Sequence, residues 1–290
     1  MAVSECVVFD GKSYSRKIDD ETITLSSRFY SIRGRRPRLA IIDPSQTFEN
    51  SMYGRSKIRK GEKLSIECYY IRVPQPVNDK SPIEYIERML IETEPDGIMI
   101  ERPLPDWMTE NDASQIIPEY MDVEGMNLRN MGKNMTGEKT IIPATADACL
   151  QIIESLDGKY GKDVCIVNRT RVVGRPLAMA LVNLDYTVTL CHSRTNNLKE
   201  KTSAADIVVT ATGKPEYLTS EYISSGAAVI DVGITKIDRG VVGDVNFKDV
   251  YNKAGFITPV PGGVGTVTTS IIMKNFMAIA MKRVEDRLNY

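Results

Sequence analysis

Short apolar runs separated by longer stretches of mixed polarity recur along this chain, a pattern that predicts strands alternating with helices. Arg38 to Asp43 is an apolar run closed by Pro44 and reads as a buried strand. Ser51 to Lys60 reads as a helix that a glycine C-cap at Gly61 is expected to stop. Ser65 to Val73 reads as a second strand, and Gly97 to Ile100 as a third, closed by the turn-rich Arg102 to Asp106. Between them, Pro82 to Thr93 forms an amphipathic helix with Ile83, Ile86, Leu90 and Ile91 on one face.

The second half alternates more cleanly. Val164–Val167, Thr187–Cys191, Asp206–Thr210 and Ala227–Val232 are the expected strands, the last two rich in Val, Ile and Ala as strands covered on both faces must be. Pro176 to Leu184 is expected to be helical, and a last helix runs from about Thr268 to Arg287, basic at its C-terminal end as the helix dipole favours. The expected fold class is α/β, with two α/β domains, the C-terminal one a Rossmann-like parallel sheet. The change of domain is placed at Ile141-Ile142-Pro143, giving 1–142 and 143–267, with the final helix, 268–290, packing back on the first domain.

Composition narrows the classes. At 290 residues the chain suits two domains at about 150 residues each. A net charge of −1 gives no electrostatic reason to seek nucleic acid or an anionic membrane. No stretch is expected to reach the roughly 20 apolar residues of a membrane span. Five scattered cysteines without a C-x-x-C, and no basic-then-apolar leader, suit a cytoplasmic protein with buried thiols. A single histidine, His192, excludes a Cys₂His₂ or His₃ metal centre, and no metal is expected.

The strand ending at Val167 runs into Asn168-Arg169-Thr170-Arg171-Val172-Val173-Gly174 and then a helix. Strand, tight turn and helix N-terminus offer backbone N–H groups to a pyrophosphate, although Asn168 and Thr170 stand where the glycine fingerprint has glycines. An ordinary βα turn is the competing reading. At the end of the next strand, Ser193 and Arg194 stand where an NAD-selecting fold has a carboxylate, so a bound dinucleotide should be NADP. His192 is then either at the adenosine side of the cofactor or a hydrogen-bonded loop residue.

Several stretches together resemble the methylenetetrahydrofolate dehydrogenase/methenyltetrahydrofolate cyclohydrolase family. They are Thr258-Pro-Val-Pro-Gly-Gly-Val-Gly265 with Thr268, Val172-Val-Gly-Arg-Pro176 with His-Ser-Arg-Thr, Val229–Ile234 leading to Val242-Gly-Asp-Val245, Tyr53-x-x-x-Lys57, and Asp96-Gly97-Ile98 to Pro103-Leu104-Pro105. The resemblance implies a two-domain enzyme, usually a homodimer, with its active site in the interdomain cleft. Such an enzyme oxidises 5,10-methylenetetrahydrofolate with NADP and hydrolyses the methenyl product to 10-formyltetrahydrofolate. It assigns Lys57 and Tyr53 to the shared catalytic site, and Pro261 and Gly262 to the folate side. Asn168, Arg169, Thr170, Gly174, Ser193 and Arg194, with Gly213, Ile234 and Thr268 around the nicotinamide, would hold the cofactor. The hydride step removes no proton, which agrees with the shortage of histidine. Lys57 lies four residues after Tyr53, on the same helical face. The competing reading of the run Arg55, Lys57, Arg59, Lys60 and Lys63 is a solvated basic face.

Two acidic residues depart from the family pattern. Glu101 stands where glutamine is usual, and a glutamate within ~4–6 Å is expected to hold Lys57 protonated. Cyclohydrolase activity would then fall or move in pH while dehydrogenase activity survives, unless Arg102 or the cationic product draws off the carboxylate's charge. Glu124, in Asp122-Val-Glu-Gly125, replaces the aspartate that binds the pterin edge and keeps a carboxylate there. Ala146 and Thr266-Val267 are further departures without an obvious reacting group. Two other readings are a shikimate-type NADP dehydrogenase using Lys57, and a non-catalytic NADP-binding sensor.

Overall fold

A computed structural model describes residues 5–45, 48–74, 81–156 and 158–288, without the side chains of 48–53 and 287–288. The chain forms two compact units. One comprises Lys17–Gly132 and the chain from Thr269 onward; the other comprises Lys133–Thr268 and the segment that ends at Arg16. The chain passes between the units within helices α1 (Gly11–Arg33), α5 (Leu128–Thr136) and α10 (Val264–Leu288).

The first unit is built on three parallel strands, β2 (Arg38–Asp43), β3 (Glu67–Arg72) and β4 (Gly97–Ile100), in the order β3-β2-β4. The central strand is buried along most of its length, which is why its sequence is an unbroken apolar run. Ala40, Ile42, Ile71, Ile98 and Ile100 share a core with Ile86 of helix α3 (Pro82–Thr93). Helix α4 (Glu110–Ile116) starts in a capping box between Thr109 and Asp112.

Three local expectations are corrected. Helix α2 (Phe48–Lys63) runs through Gly61 and is stopped by Ser65, two residues beyond its end, whose φ of 59° is left-handed, with the Ile66 N–H donating to the Gly61 carbonyl at 2.8 Å. Gly61 instead allows a close approach, because a Cβ there would lie 2.3 Å from the Cys68 Sγ. On α3, Ile91 is 76% exposed; the buried positions are Ile86 and Thr93, two turns apart, and Ile91 lies about 140° round the helix from Ile86. Thirdly, Val264–Asp286 within α10 is long and apolar enough to cross a membrane. That stretch is mostly buried, with Ile271, Ile272, Met273, Phe276 and Met277 all in the core, while Lys274 reaches outward to pair with Glu21 at 2.9 Å.

The second unit carries six parallel strands in the order β1-β11-β8-β7-β5-β6. They are β1 (Val7–Val8), β5 (Asp163–Val167), β6 (Thr187–Cys191), β7 (Ile207–Thr210), β8 (Ala228–Asp231) and β11 (Phe256–Ile257). β6 lies on one side of β5 and β7 on the other, so the order reverses at β5, and the carboxyl ends of β5 and β7 form the topological switch point where such sheets bind ligands. Helices α6 (Ala144–Glu154), α7 (Gly174–Val182), α8 (Leu198–Ser203) and α9 (Phe247–Tyr251) and the hairpin of β9 (Thr235–Ile237) and β10 (Gly240–Val242) complete the unit. All five cysteines are free thiols, four of them buried.

Candidate active site and nucleotide site

In the first unit the chemistry collects at the carboxyl ends of the strands. Ile42 pairs with Ile100, so Glu101 emerges beside the end of β2, its N–H donating to the Ile42 carbonyl at 2.8 Å. Lys57, from α2, places its Nζ 2.6 Å from both carboxylate oxygens of Glu101. Their side chains are only 12% and 6% exposed, so this member of the basic run is no solvated charge. The backbone of Tyr53 lies in α2, but its side chain is outside the described residues.

Arg102 is not the partner of Glu101. It forks onto Glu110 at 3.1 and 2.9 Å, donates to the Ile100 carbonyl at 3.0 Å, and reaches Glu124 at 3.5 Å. The segment carrying Glu124 runs beside β4, with the Val123 N–H donating to the Ile98 carbonyl. Asp122 is fully buried and holds that turn, accepting from the N–H groups of Glu124 and Asn127 and from Asn130 Nδ2. Burial pushes the Glu124 carboxyl up against the opposing pull of Arg102 and Lys57. Lys57, Glu101, Arg102 and Glu124 are thus one electrostatic cluster. Sequence reasoning missed two of its neighbours, Tyr70 and Asp43, joined by a 2.8 Å hydrogen bond from the phenol. The signal was a buried acid ending an apolar run.

In the second unit the turn after β5 is organised by a side chain. Asn168 Oδ1 accepts from the N–H groups of Thr170 and Gly174 at 2.8 and 3.0 Å and from the Thr170 hydroxyl at 2.8 Å. Its Nδ2 donates to the Ala211 carbonyl at 2.6 Å, tying β5 to β7 across the switch point. Gly174 is required where it stands, because a Cβ would lie 2.0 Å from the Asn168 carbonyl oxygen. The expected offer of backbone N–H groups is partly taken up inside the turn, since those of Thr170, Val173, Gly174 and Arg175 all donate within it. Arg169 is exposed and supplies positive charge at this position.

At the end of β6, Val167 and Cys191 are in register, so His192 begins the turn beside Asn168. His192 Nδ1 accepts the Arg194 N–H at 3.1 Å, and the Thr195 hydroxyl accepts the His192 N–H at 2.8 Å. The histidine is therefore a loop-holding residue, and it leaves Ser193 and Arg194 exposed. Beyond β7, Gly213 has φ +70° and open space around its would-be Cβ. Ile234 is 51% exposed. Two buried carboxylates hold these loops. Asp231 accepts from the N–H groups of Gly233, Asp244 and Val245 at 2.9, 3.0 and 2.9 Å, and Asp244 accepts from the Thr212 N–H. Burial drives Asp231 up to about 6 despite those three donors. Pro261 is exposed and Gly262, at φ +108°, is half-buried in the loop before α10. The Thr268 hydroxyl donates back to the Val264 carbonyl at 2.9 Å.

A doubly wound parallel sheet with an open switch point, joined in one chain to a buried lysine–carboxylate site, defines an α/β enzyme that binds a dinucleotide. The comparisons with known proteins narrow the class. Residues 9–124 match the tetrahydrofolate dehydrogenase/cyclohydrolase catalytic domain, and residues 143–284 match the NAD(P)-binding domain of the same family. The chain belongs to the tetrahydrofolate dehydrogenase/cyclohydrolase family. It is 36% identical to the bifunctional protein FolD of Clostridium botulinum (strain Alaska E43 / Type E3), covering 96% of this chain and 99% of that one. Among solved structures, the bifunctional FolD enzyme of Campylobacter jejuni superposes with a TM-score of 0.90 at 30% identity, over 96% of this chain and 99% of that one. The Trypanosoma brucei methylenetetrahydrofolate dehydrogenase-cyclohydrolase, solved with NADP cofactor and inhibitor, superposes with a TM-score of 0.87 at 32% identity, over 97% and 99%.

Proposed function

We propose that this chain oxidises 5,10-methylenetetrahydrofolate to the methenyl form with NADP and hydrolyses that cation to 10-formyltetrahydrofolate. The observation that carries the reading is the gathering of Lys57, Glu101 and Glu124 at the carboxyl end of the three-stranded sheet. It occurs in a chain whose two halves match the two domains of one family. The match in both halves sets aside the shikimate-type alternative and favours turnover over a sensor role.

NADP, when bound, accepts the hydride. Its fit is supported by the open Gly213 position and by Ser193 and Arg194, a hydroxyl and a guanidinium suited to a 2′-phosphate. Arg169 and the Asn168 turn would hold the phosphates, and Ile234 and Thr268 would flank the nicotinamide. Pro261 and Gly262 are assigned to the folate. The hydride step needs only orientation, because the two nitrogens flanking the bridge carbon share the positive charge. Hydrolysis needs more. Water adds to the bridge carbon, a C–N bond breaks, the freed ring nitrogen takes a proton, and one proton is released. Lys57, seated on Glu101, is the group assigned to move those protons, with Tyr53 four residues before it on the helix. Glu124 is assigned to the amino-pyrimidine edge of the pterin, where a carboxylate accepts two hydrogen bonds.

On this reading the three-stranded unit carries the folate chemistry and the six-stranded unit the cofactor. The chain is read as a homodimer without nucleic-acid or membrane partners. Support for a second copy comes from the edge strand β6, where Leu190 is exposed, as are Val182 and Leu184 just before it. Light scattering on the purified chain checks this, and a monomeric mass would reject it.

The test is a coupled assay. NADPH absorbance is expected to rise only when methylenetetrahydrofolate is added, faster with NADP⁺ than with NAD⁺, followed by decay of the methenyl product. Glu101→Gln should change the rate of that decay, or its pH range, and spare the hydride step. Equal decay rates for both proteins across a pH series would remove Glu101 from the hydrolytic step.

A further inference from the structure

Strand β3 brings a phenol under the helix that carries Lys57. Tyr70 pairs with Ile41, and its hydroxyl donates to Asp43 Oδ2 at 2.8 Å at the end of the neighbouring strand. Asp43 is completely buried. Directly above the ring is Gly54 of α2, where a Cβ would lie 2.2 Å from Tyr70 Cε2, 2.6 Å from Cζ and 2.9 Å from the hydroxyl oxygen. The helix backbone thus rests on the phenol, and no side chain larger than hydrogen fits between them. Gly54 and Lys57 are three residues apart, on one helical face. The height of the helix over this ring is therefore the height from which the lysine reaches Glu101.

The ring is held from several sides. Burial, the Asp43 bond and the charges of Asp43 and Glu101 push the phenol above its ordinary range, while the Arg72 guanidinium, 5.9 Å from the ring centre, opposes them. It stays a neutral donor to Asp43 at physiological pH.

We propose that Tyr70, anchored by Asp43, is a positioning residue for the hydrolytic step: its ring sets the approach of α2 to the sheet and so seats the Lys57 ammonium on Glu101. The consequence for catalysis rests on the function proposed above; the seating does not. An ion pair with both oxygens at 2.6 Å tolerates little displacement of its lysine.

Gly54→Ala inserts a methyl group between helix and ring, and Tyr70→Leu in that background removes the ring. Two quantities are read. One is cyclohydrolase kcat and KM with methenyltetrahydrofolate. The other is the nitrogen NMR resonance of Lys57 Nζ, assigned by its loss in Lys57→Met. Gly54→Ala is expected to lower kcat on the order of 10-fold with little change in KM, and to shift the resonance. Adding Tyr70→Leu should bring both back toward native values. A folded Gly54→Ala protein with native kcat and native resonance overturns the proposal, as does failure of the second substitution to restore either. If Gly54→Ala does not fold, Tyr70→Leu alone is read for a lowered kcat and a shifted resonance, and native values for both overturn the proposal. If the native chain does not hydrolyse the methenyl substrate, the hydrolytic half of the proposed function falls. The resonance then decides the seating by itself: a shift that Tyr70→Leu reverses supports it, and an unmoved one rejects it.

Discussion

The two sites are built by opposite means. At the end of β4 the chain concentrates charge: Lys57, Glu101, Arg102, Glu110 and Glu124 are partly or wholly withdrawn from water and paired with one another. After β5 it shapes backbone: Asn168 gathers the N–H groups of its own turn, and Gly174 is there because nothing larger fits. Hydrolysis moves protons and needs titratable groups in fixed contact. Hydride transfer needs two carbons held in place and no proton chemistry. On the function proposed above, the difference in construction would follow the difference in reaction.

The comparison breaks most readily at Lys57. Lys57→Met strands the Glu101 carboxylate, and stability is expected to fall by about 3 kcal/mol, seen as a lower urea midpoint. Methenyl hydrolysis should drop by about 10²- to 10⁴-fold, with a far smaller effect on the hydride step. Adding Glu101→Met should restore the midpoint but not hydrolysis. Equal losses in both reactions would mean that the charged cluster serves the two alike.

A smaller effect is expected at the nucleotide turn. Asn168→Ala removes an acceptor for three donors and the tie to Ala211. NADP binding, followed by calorimetry, should weaken by about 10-fold, the equivalent of one lost net hydrogen bond. Hydrolysis of supplied methenyl substrate, measured without NADP, should fall much less. An unchanged NADP affinity would show that the turn is held by Thr170 and Gly174 without the amide.

The legibility of the molecule follows the same division. Strands with apolar runs, β2, β5, β7 and β8, were plain in the sequence because both faces are covered. Helix α1 was not, although Ser15, Ile18, Thr22, Ser26 and Phe29 make a continuous buried stripe. Three of those five are hydroxyl residues that carry no apolar signal and hydrogen-bond to carbonyls instead, Ser26 to that of Ser65. Lys57 and Glu101 were legible as a pair through the family resemblance. Tyr70 was hidden, since tyrosine in a strand reads as an ordinary strand former. The turn at Asn168 looked like a degraded fingerprint because its structure lies in one side chain's hydrogen bonds, which no glycine count reveals.

The smallest effect lies in the carboxylates that hold the loops proposed for the nicotinamide side. Asp231 titrates in the folded chain at about 6, above its ordinary 3.8, chiefly because it is buried. The folded state therefore favours the protonated form. The stability this group contributes is complete below about pH 4 and is lost as pH rises through about 6. Asp231→Asn cannot titrate, and its amide faces one N–H donor too many, so its baseline is lower. The informative quantity is the slope. Between pH 4 and pH 6, native stability should decline by roughly 1–2 kcal/mol relative to the variant. Parallel stability curves from thermal melts across that range would show that Asp231 is ionised throughout. The nucleotide site would then rest on a fixed buried charge, and the contrast with the Lys57 site would narrow to how each charge is neutralised: by an ammonium at one, by three backbone donors at the other.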